Sequence, residues 1–281
     1  MLVAFTVPSA TSADLTMCNE PNRSTPHSSA RSKSSAHPGY EKGASRRQVI
    51  RGVLGAGIAG LAAGTGLMGY SGVSLAAALT KEQRDAMTPD DIIKMMKEGN
   101  ARFRAGKLQQ QDFLAQKRAS ATGQFPAAAI LSCIDSRTPA EILLDMGLGE
   151  SFNTRIAGNI CNDDIVGSLE FACAAAGAKV ILVMGHSACG AVKGAIDNVK
   201  LGKLTGLLEE IRPAVEATQY DGDRTGKNAE FVDLVAATNV RRAMGQIRDE
   251  SDVLSKLEKE GKLKIVGAMY YLDGGRLEML E

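Results

Sequence analysis

Three side chains of this sequence are of the types that hold a borderline-soft metal ion: Cys133, His186 and Cys189. The last two are spaced His-x-x-Cys, so one short loop presents both. Zinc favours tetrahedral nitrogen and sulfur ligation, and a catalytic zinc leaves its fourth position to water. Two thiolates and one imidazole fit that pattern. The chemistry they imply is activation of water, because bound zinc lowers the pKa of its water. Two thiolates donate charge and oppose that shift, so such a water is expected to titrate on the high side. Alone, His-x-x-Cys is a weak signal, since buried cysteines are common. The economy of the sequence strengthens it: His186 is the only histidine after residue 37. Asp135 and Arg137 follow the first cysteine within Cys133-Ile134-Asp135-Ser136-Arg137. A carboxylate there accepts a hydrogen bond from the nucleophile, and the guanidinium keeps it ionised. A plain structural ion pair is the alternative.

These residues need elements to bring them together. Residues 127–132 form a short apolar run that suits a strand buried on both faces, and 179–184 (KVILVM) form another. Cys133 stands just past the first run, and His186-Ser187-Ala188-Cys189-Gly190 just past the second. In open α/β sheets, sites form outside the carboxyl ends of strands where the winding reverses. The two motifs meet if those strands are neighbours at that reversal. Further strands are expected over 152–157 and 263–272, with a short edge strand over 276–280 after the turn Asp273-Gly274-Gly275. Helices are expected from Thr138 to Met146, Asp163 to Gly177, from about Ala188, over 207–218, and over 231–260 with a break near Ser251. Thr88-Pro89-Asp90-Asp91 opens a helix whose apolar face holds Ile92, Ile93, Met95 and Met96, ended by Gly99 or Gly106. It reads as an N-terminal arm needing a partner. The fold expected is α/β: a mainly parallel sheet of four strands plus a short antiparallel edge strand, flanked by helices.

Cys-x-Asp-Ser-Arg, followed some fifty residues later by Gly-His-x-x-Cys-Gly, resembles the signature of the β-class carbonic anhydrases. Arg155-Ile156-Ala157-Gly158-Asn159 is similar to the family's pattern between them, and the likeness spans about 88–281. The resemblance implies that Cys133, His186 and Cys189 bind one Zn2+ per chain, with Asp135 and Arg137 as the catalytic dyad. It implies substrate-facing roles for Gln124, Phe152, Phe171 and Gly190. Phe171 falls where the plant-like branch has a tyrosine, so a hydroxyl is missing here. The implied reaction is reversible hydration of CO2 to bicarbonate and a proton, by attack of zinc-bound hydroxide. The family completes its pocket across a subunit interface, so a homodimer or higher homo-oligomer is expected. One branch has a bicarbonate-inhibited form built with a tryptophan three residues before the first ligand. Here that position is Ile130, and Gln124 matches the open-zinc-site branch. Hydrolysis of carbonyl sulfide or carbon disulfide on the same zinc, and a non-catalytic zinc-binding assembly module, are the rival readings; retention of Asp135 and Arg137 argues against the second. Cys161 and Cys173 flank most of a helix, which parts them by about 18 Å. That exceeds the reach of a disulfide, and neither belongs to the ligand set.

The net charge of the 281 residues is +1. Seven of the 33 basic and three of the 32 acidic residues lie in 1–78, which leaves residues 79–281 at −3. A mildly acidic domain without tryptophan or a basic stripe is a poor nucleic-acid binder. Residues 1–44, rich in Ser, Pro, Ala and His, read as a low-complexity, disordered leader. Residues 45–78 read as a twin-arginine signal: Arg46-Arg47, an uncharged Gly/Ala/Leu stretch from Gly52, then Ala76-Ala77-Ala78 for a signal peptidase. Residues 79–281 form the catalytic domain. Its partner at export would be the twin-arginine machinery, and its location the periplasm. The uncharged stretch is long enough to act as an uncleaved anchor, but its many glycines make a weak spanning helix. Replacing Arg46 and Arg47 together by lysine is expected to leave active protein in the cytoplasm; fractionation that finds periplasmic activity unchanged would refute this route.

Overall fold

A computed structural model describes residues 78–280. The expected leader and the signal segment up to residue 77 lie outside the described residues. The chain runs α1 (Lys81–Ala86), α2 (Pro89–Arg104), α3 (Phe113–Ala119), β1 (Ala128–Ser132), α4 (Ala140–Leu143), β2 (Ser151–Arg155), α5 (Asp163–Glu170), β3 (Val180–His186), α6 (Gly190–Ile196), α7 (Gly202–Ala217), α8 (Ala229–Glu250), α9 (Asp252–Lys259), β4 (Lys264–Tyr271) and β5 (Arg276–Leu280). Among the described residues no helix is long and apolar enough to cross a membrane.

The five strands form one sheet in the order β2-β1-β3-β4-β5. The first four are parallel, and β5 returns antiparallel against β4. This is the architecture expected from the alternation of elements. The winding reverses at β1: β2 lies on one side of it and β3 on the other. Apolar side chains alternate between the two faces because the side-chain period of a strand is two. Ala129, Leu131, Ile181 and Val183 join one core with α5 to α9, while Ala128, Ile130, Val180, Leu182 and Met184 join a second core with α2 and α4.

Local signals account for the helix starts. Thr88 accepts from the Asp91 N–H while the Asp91 carboxylate accepts from the Thr88 N–H, a reciprocal cap on α2. Ser251 ends α8 and caps α9, which accounts for the break expected there. Several expectations are corrected. The helix from Thr138 is a single turn, Ala140–Leu143, and the one from Asp163 ends in a π turn, Phe171–Ala175. α7 starts at Gly202 rather than Leu207, and β3 runs on past Met184 to include His186. The helices α1 and α3 were not foreseen, because each is too short to show a period. Most consequentially, α2 is not a free arm. Ile92 and Met96, one turn apart, are fully buried in the second core of their own chain.

Nor does Gly99 stop α2, which continues to Arg104. Gly99 is where α2 crosses the end of α4: a Cβ there would lie 1.8 Å from the Leu144 carbonyl oxygen. Backbone cannot yield as a side-chain tip does. Gly99→Ala is therefore expected to cost about 3 kcal/mol or more and to lower the melting temperature by roughly 6 °C or more. Gly245→Ala, in α8 with nothing within 4 Å of the added methyl, should be neutral or stabilising by up to about 1 kcal/mol. Thermal denaturation of both variants checks the contrast.

Candidate metal centre

β1 and β3 pair directly, with Ser132 opposite Met184. Cys133 leaves the end of β1, and His186 closes β3 two residues further along. After His186 the chain turns through Ala188, a non-glycine residue in the left-handed region (φ 55°), to reach Cys189. Cys189 then caps α6. Sequence distance thus collapses: one ligand atom from each of Cys133, His186 and Cys189 lies within 4.8 Å of the others, and all three residues are buried.

The donor set fits a tetrahedral cation. The Cys133 and Cys189 sulfurs are 3.9 Å apart; two zinc–sulfur bonds of about 2.3 Å at a tetrahedral angle span about 3.8 Å. Nδ1 of His186 lies 2.9 Å from the Ser187 carbonyl oxygen, which fixes that nitrogen as the protonated one. Nε2 then carries the free lone pair. It is buried without a hydrogen-bond partner, a costly state for a polar atom that a metal ion relieves.

The two sulfurs are electrostatically unequal. The hydrogen bond from Cys189, helped by the His186 side chain and the N–H groups of Asp135 and Gly158, lowers the Cys133 thiol against the effect of burial. Donating that bond, together with burial, pushes Cys189 up. The space between the two sulfurs is one that a divalent cation could occupy. By contrast, burial alone raises Cys173 to about 12, and burial with the nearby carboxylates Glu250 and Asp163 does the same to Cys161. Both remain thiols, apart from the ligand set.

Asp135 stands beside the cluster, its Oδ2 3.9 Å from His186 Nε2. Arg137 grips it with Nε on Oδ1 (2.9 Å), Nη2 on Oδ2 (2.7 Å) and its own backbone N–H on Oδ1 (3.0 Å). These bonds hold the carboxyl well below the usual carboxylate range. Arg155 braces the same loop from behind through the carbonyls of Cys133 (3.0 Å) and Asp135 (2.6 Å). Gly190 opens α6 beside Cys189 and is exposed, with nothing within 4 Å of its Cβ position.

The other expected pocket residues are not brought to these ligands within one chain. Gln124 is exposed and precedes β1, so the strand's five residues, about 17 Å, separate it from Cys133. Phe152 pairs with Ala129, about 13 Å down the strand from Cys133. It meets Phe171 edge to face with ring centroids 5.9 Å apart, and Phe171 is 57% exposed.

Two residues that sequence reasoning did not single out reach the ligand region from α8, one directly and one through the turn after β2. Asp233 Oδ1 accepts the Ala188 N–H at 3.0 Å. Asn239 Nδ2 donates to the Gly158 carbonyl at 2.7 Å, and the Gly158 N–H donates to Cys133 Sγ at 3.3 Å. No local spacing marks them, because each acts on a loop more than 40 residues away.

Comparison with known proteins agrees with this geometry. Residues 128–277 match the family described as carbonic anhydrase. The chain is 36% identical over 189 residues to carbonic anhydrase 2 of Mycobacterium tuberculosis, covering 65% of this chain and 88% of that protein. It is 35% identical over 188 residues to the carbonic anhydrase of Mycolicibacterium smegmatis, covering 66% and 90%. Among solved structures, a β-carbonic anhydrase of Aspergillus fumigatus aligns with a TM-score of 0.55 at 26% identity, over 68% of this chain and 90% of that one. One of two tetrameric β-carbonic anhydrases from Sordaria macrospora aligns with a TM-score of 0.50 at 26% identity, over 57% and 83%. With its family match spanning the four parallel strands and both ligand loops, this chain belongs to the carbonic anhydrases, in their β class.

Proposed function

We propose that this protein catalyses the reversible hydration of CO2 to bicarbonate and a proton, with Cys133, His186 and Cys189 holding one zinc ion. The observation that carries the reading is the buried, unpartnered Nε2 of His186, set beside two sulfurs 3.9 Å apart in a chain of this family. Zinc bound there supplies the Lewis acidity that makes water a nucleophile near neutral pH.

The remaining work falls to the chain's own groups. Asp135 is kept as a carboxylate by Arg137, so it accepts a hydrogen bond and aims the nucleophile's lone pair instead of donating. With both of its oxygens engaged by Arg137, Asp135 is held as a neighbour of the ligand cluster. Ile130, buried where the bicarbonate-inhibited branch has its tryptophan, offers no N–H to an anion. Both features support the open-site branch. The proton leaves to a carboxylate or to buffer, since His27 and His37 lie far upstream in the sequence.

Gln124, Phe152 and Phe171 serve the pocket of a second copy in this reading. Their distance from their own Cys133 and the exposure of Phe171 and Gln124 support that role. A surface groove of about 570 Å³, with exposed Leu108, Phe113, Ile142 and Leu148 in its lining, supports a homodimer or larger assembly. Export to the periplasm by the twin-arginine segment completes the proposal on the sequence alone.

Stopped-flow CO2 hydration by the zinc-loaded protein tests the activity. Cys189→Ser should lose zinc and turnover together. Asp135→Asn should keep zinc while kcat falls about 100-fold, the scale of lost orientation. Bicarbonate should inhibit without cooperativity, and acid should remove activity in a single-proton step. Elemental analysis finding active protein without zinc would sink the assignment. In light scattering the active species should be a dimer or larger, and an active monomer would refute the shared pocket.

A further inference from the structure

We propose that α8 is the template that sets the spacing of the metal ligands, with Asp233 and Asn239 as positioning residues for the two ligand-bearing loops. The inference rests on the zinc reading of Cys133, His186 and Cys189 given above. Pairing of β1 with β3 ends at Ser132 and Met184, and pairing of β3 with β4 ends at His186, so neither ligand cysteine is held by a strand ladder. Something else must hold the sulfurs 3.9 Å apart before a metal arrives.

Asp233 holds one loop. Ala188 lies between His186 and Cys189 with φ 55°, a conformation unfavourable for a non-glycine residue that persists only when the surroundings enforce it. Its N–H is held at 3.0 Å by Asp233 Oδ1, from 45 residues along the chain. Asn239 holds the other. This buried amide donates to the Gly158 carbonyl at 2.7 Å, and Gly158 in turn donates its N–H to Cys133 Sγ at 3.3 Å. The Gly158 backbone therefore passes the position of Asn239 directly to a ligand sulfur.

Beside these two contacts α8 rests on β3 itself. Gly185, the residue before His186, admits the helix so closely that a Cβ there would meet Val240 Cγ2 at 2.6 Å. Asp233, Ala236 and Val240 are spaced three and four apart and share one helical face. One rigid element thus touches the His186–Cys189 loop and β3 directly and reaches the Cys133 sulfur through Gly158. Residues that orient first ligands from behind typically change metal affinity by about 10–100-fold when lost.

The test uses the full chain loaded with zinc and challenged with a chelator, and the same chain loaded with cobalt(II) for its thiolate-to-metal absorption. Asp233→Ala and Asn239→Leu should release zinc about 10–100-fold faster and shift the cobalt spectrum. Asp233→Asn keeps a carbonyl oxygen for the Ala188 N–H and should stay within about threefold of wild type, a rescue expected of an acceptor that positions a loop. If the variants melt earlier yet release zinc and absorb as wild type does, the residues are merely structural and the proposal falls. Should the variants not fold, amide exchange of the metal-free wild type decides: Ala188 and Gly158 amides should be protected like those of α8, and loop-like exchange overturns the template. Cys189→Ser separates the two readings. If that variant retains zinc as wild type does, the zinc site is wrong. If it loses zinc while Asp233→Ala holds zinc normally, only the role of α8 is wrong.

Discussion

The direct parallel pairing of β1 with β3 is the constraint from which the site follows. The chain leaves β1 for β2 on one flank of the sheet and comes back for β3 on the other. At that reversal the two following connections leave in opposite directions and a crevice opens between them. Cys133 enters it from β1, and His186 and Cys189 enter it from β3. Every ladder bond that fixes Ser132 opposite Met184 also limits how far the ligand loops can part. The apolar cores on both faces of the sheet hold that register, because slipping one residue would turn buried side chains to the wrong face.

The electrostatics of the crevice suit a cation. Two buried sulfurs, a buried imidazole nitrogen with no partner and a nearby carboxylate would be an unfavourable group on their own. The costs are met separately. Arg137 stabilises the Asp135 carboxylate, the Gly158 N–H stabilises the Cys133 sulfur, and the Ser187 carbonyl fixes the tautomer of His186. What remains unsatisfied is His186 Nε2, set beside the two sulfurs, which is the signature of a place for a cation rather than a network complete in itself.

The rigid part of the site and the substrate-facing part are built differently. The ligands and the Asp–Arg pair are tied to strands, to α8 and to one another inside a single chain. Gln124 and the Phe152–Phe171 pair stand well down the strands from their own ligands, and part of that surface is open to solvent. A division of this kind keeps the metal geometry independent of assembly while leaving the pocket walls to be supplied by a neighbouring copy, as proposed above.

Residue chemistry alone marked out much of this. Two cysteines, the only histidine beyond residue 37 and a carboxylate two residues after the first cysteine are local signals, and apolar runs ahead of each motif implied strands. The break at Ser251 and the cap at Thr88 were legible because caps are set by side chains three residues apart. Tertiary structure decided what has no local period. α2 buries Ile92 and Met96 in its own core instead of reaching outward, since amphipathicity says that a face is covered but not by what. Asp233 and Asn239 reach the ligand loops only because α8 packs over Gly185, a contact between residues more than 50 apart in sequence. Gln124 matches a motif position nine residues before Cys133, yet the five-residue extended strand between them carries it away from the ligands. Spacing along the chain fixes which residue types are present near a motif; only the direction of the strand decides at which end of the sheet they stand.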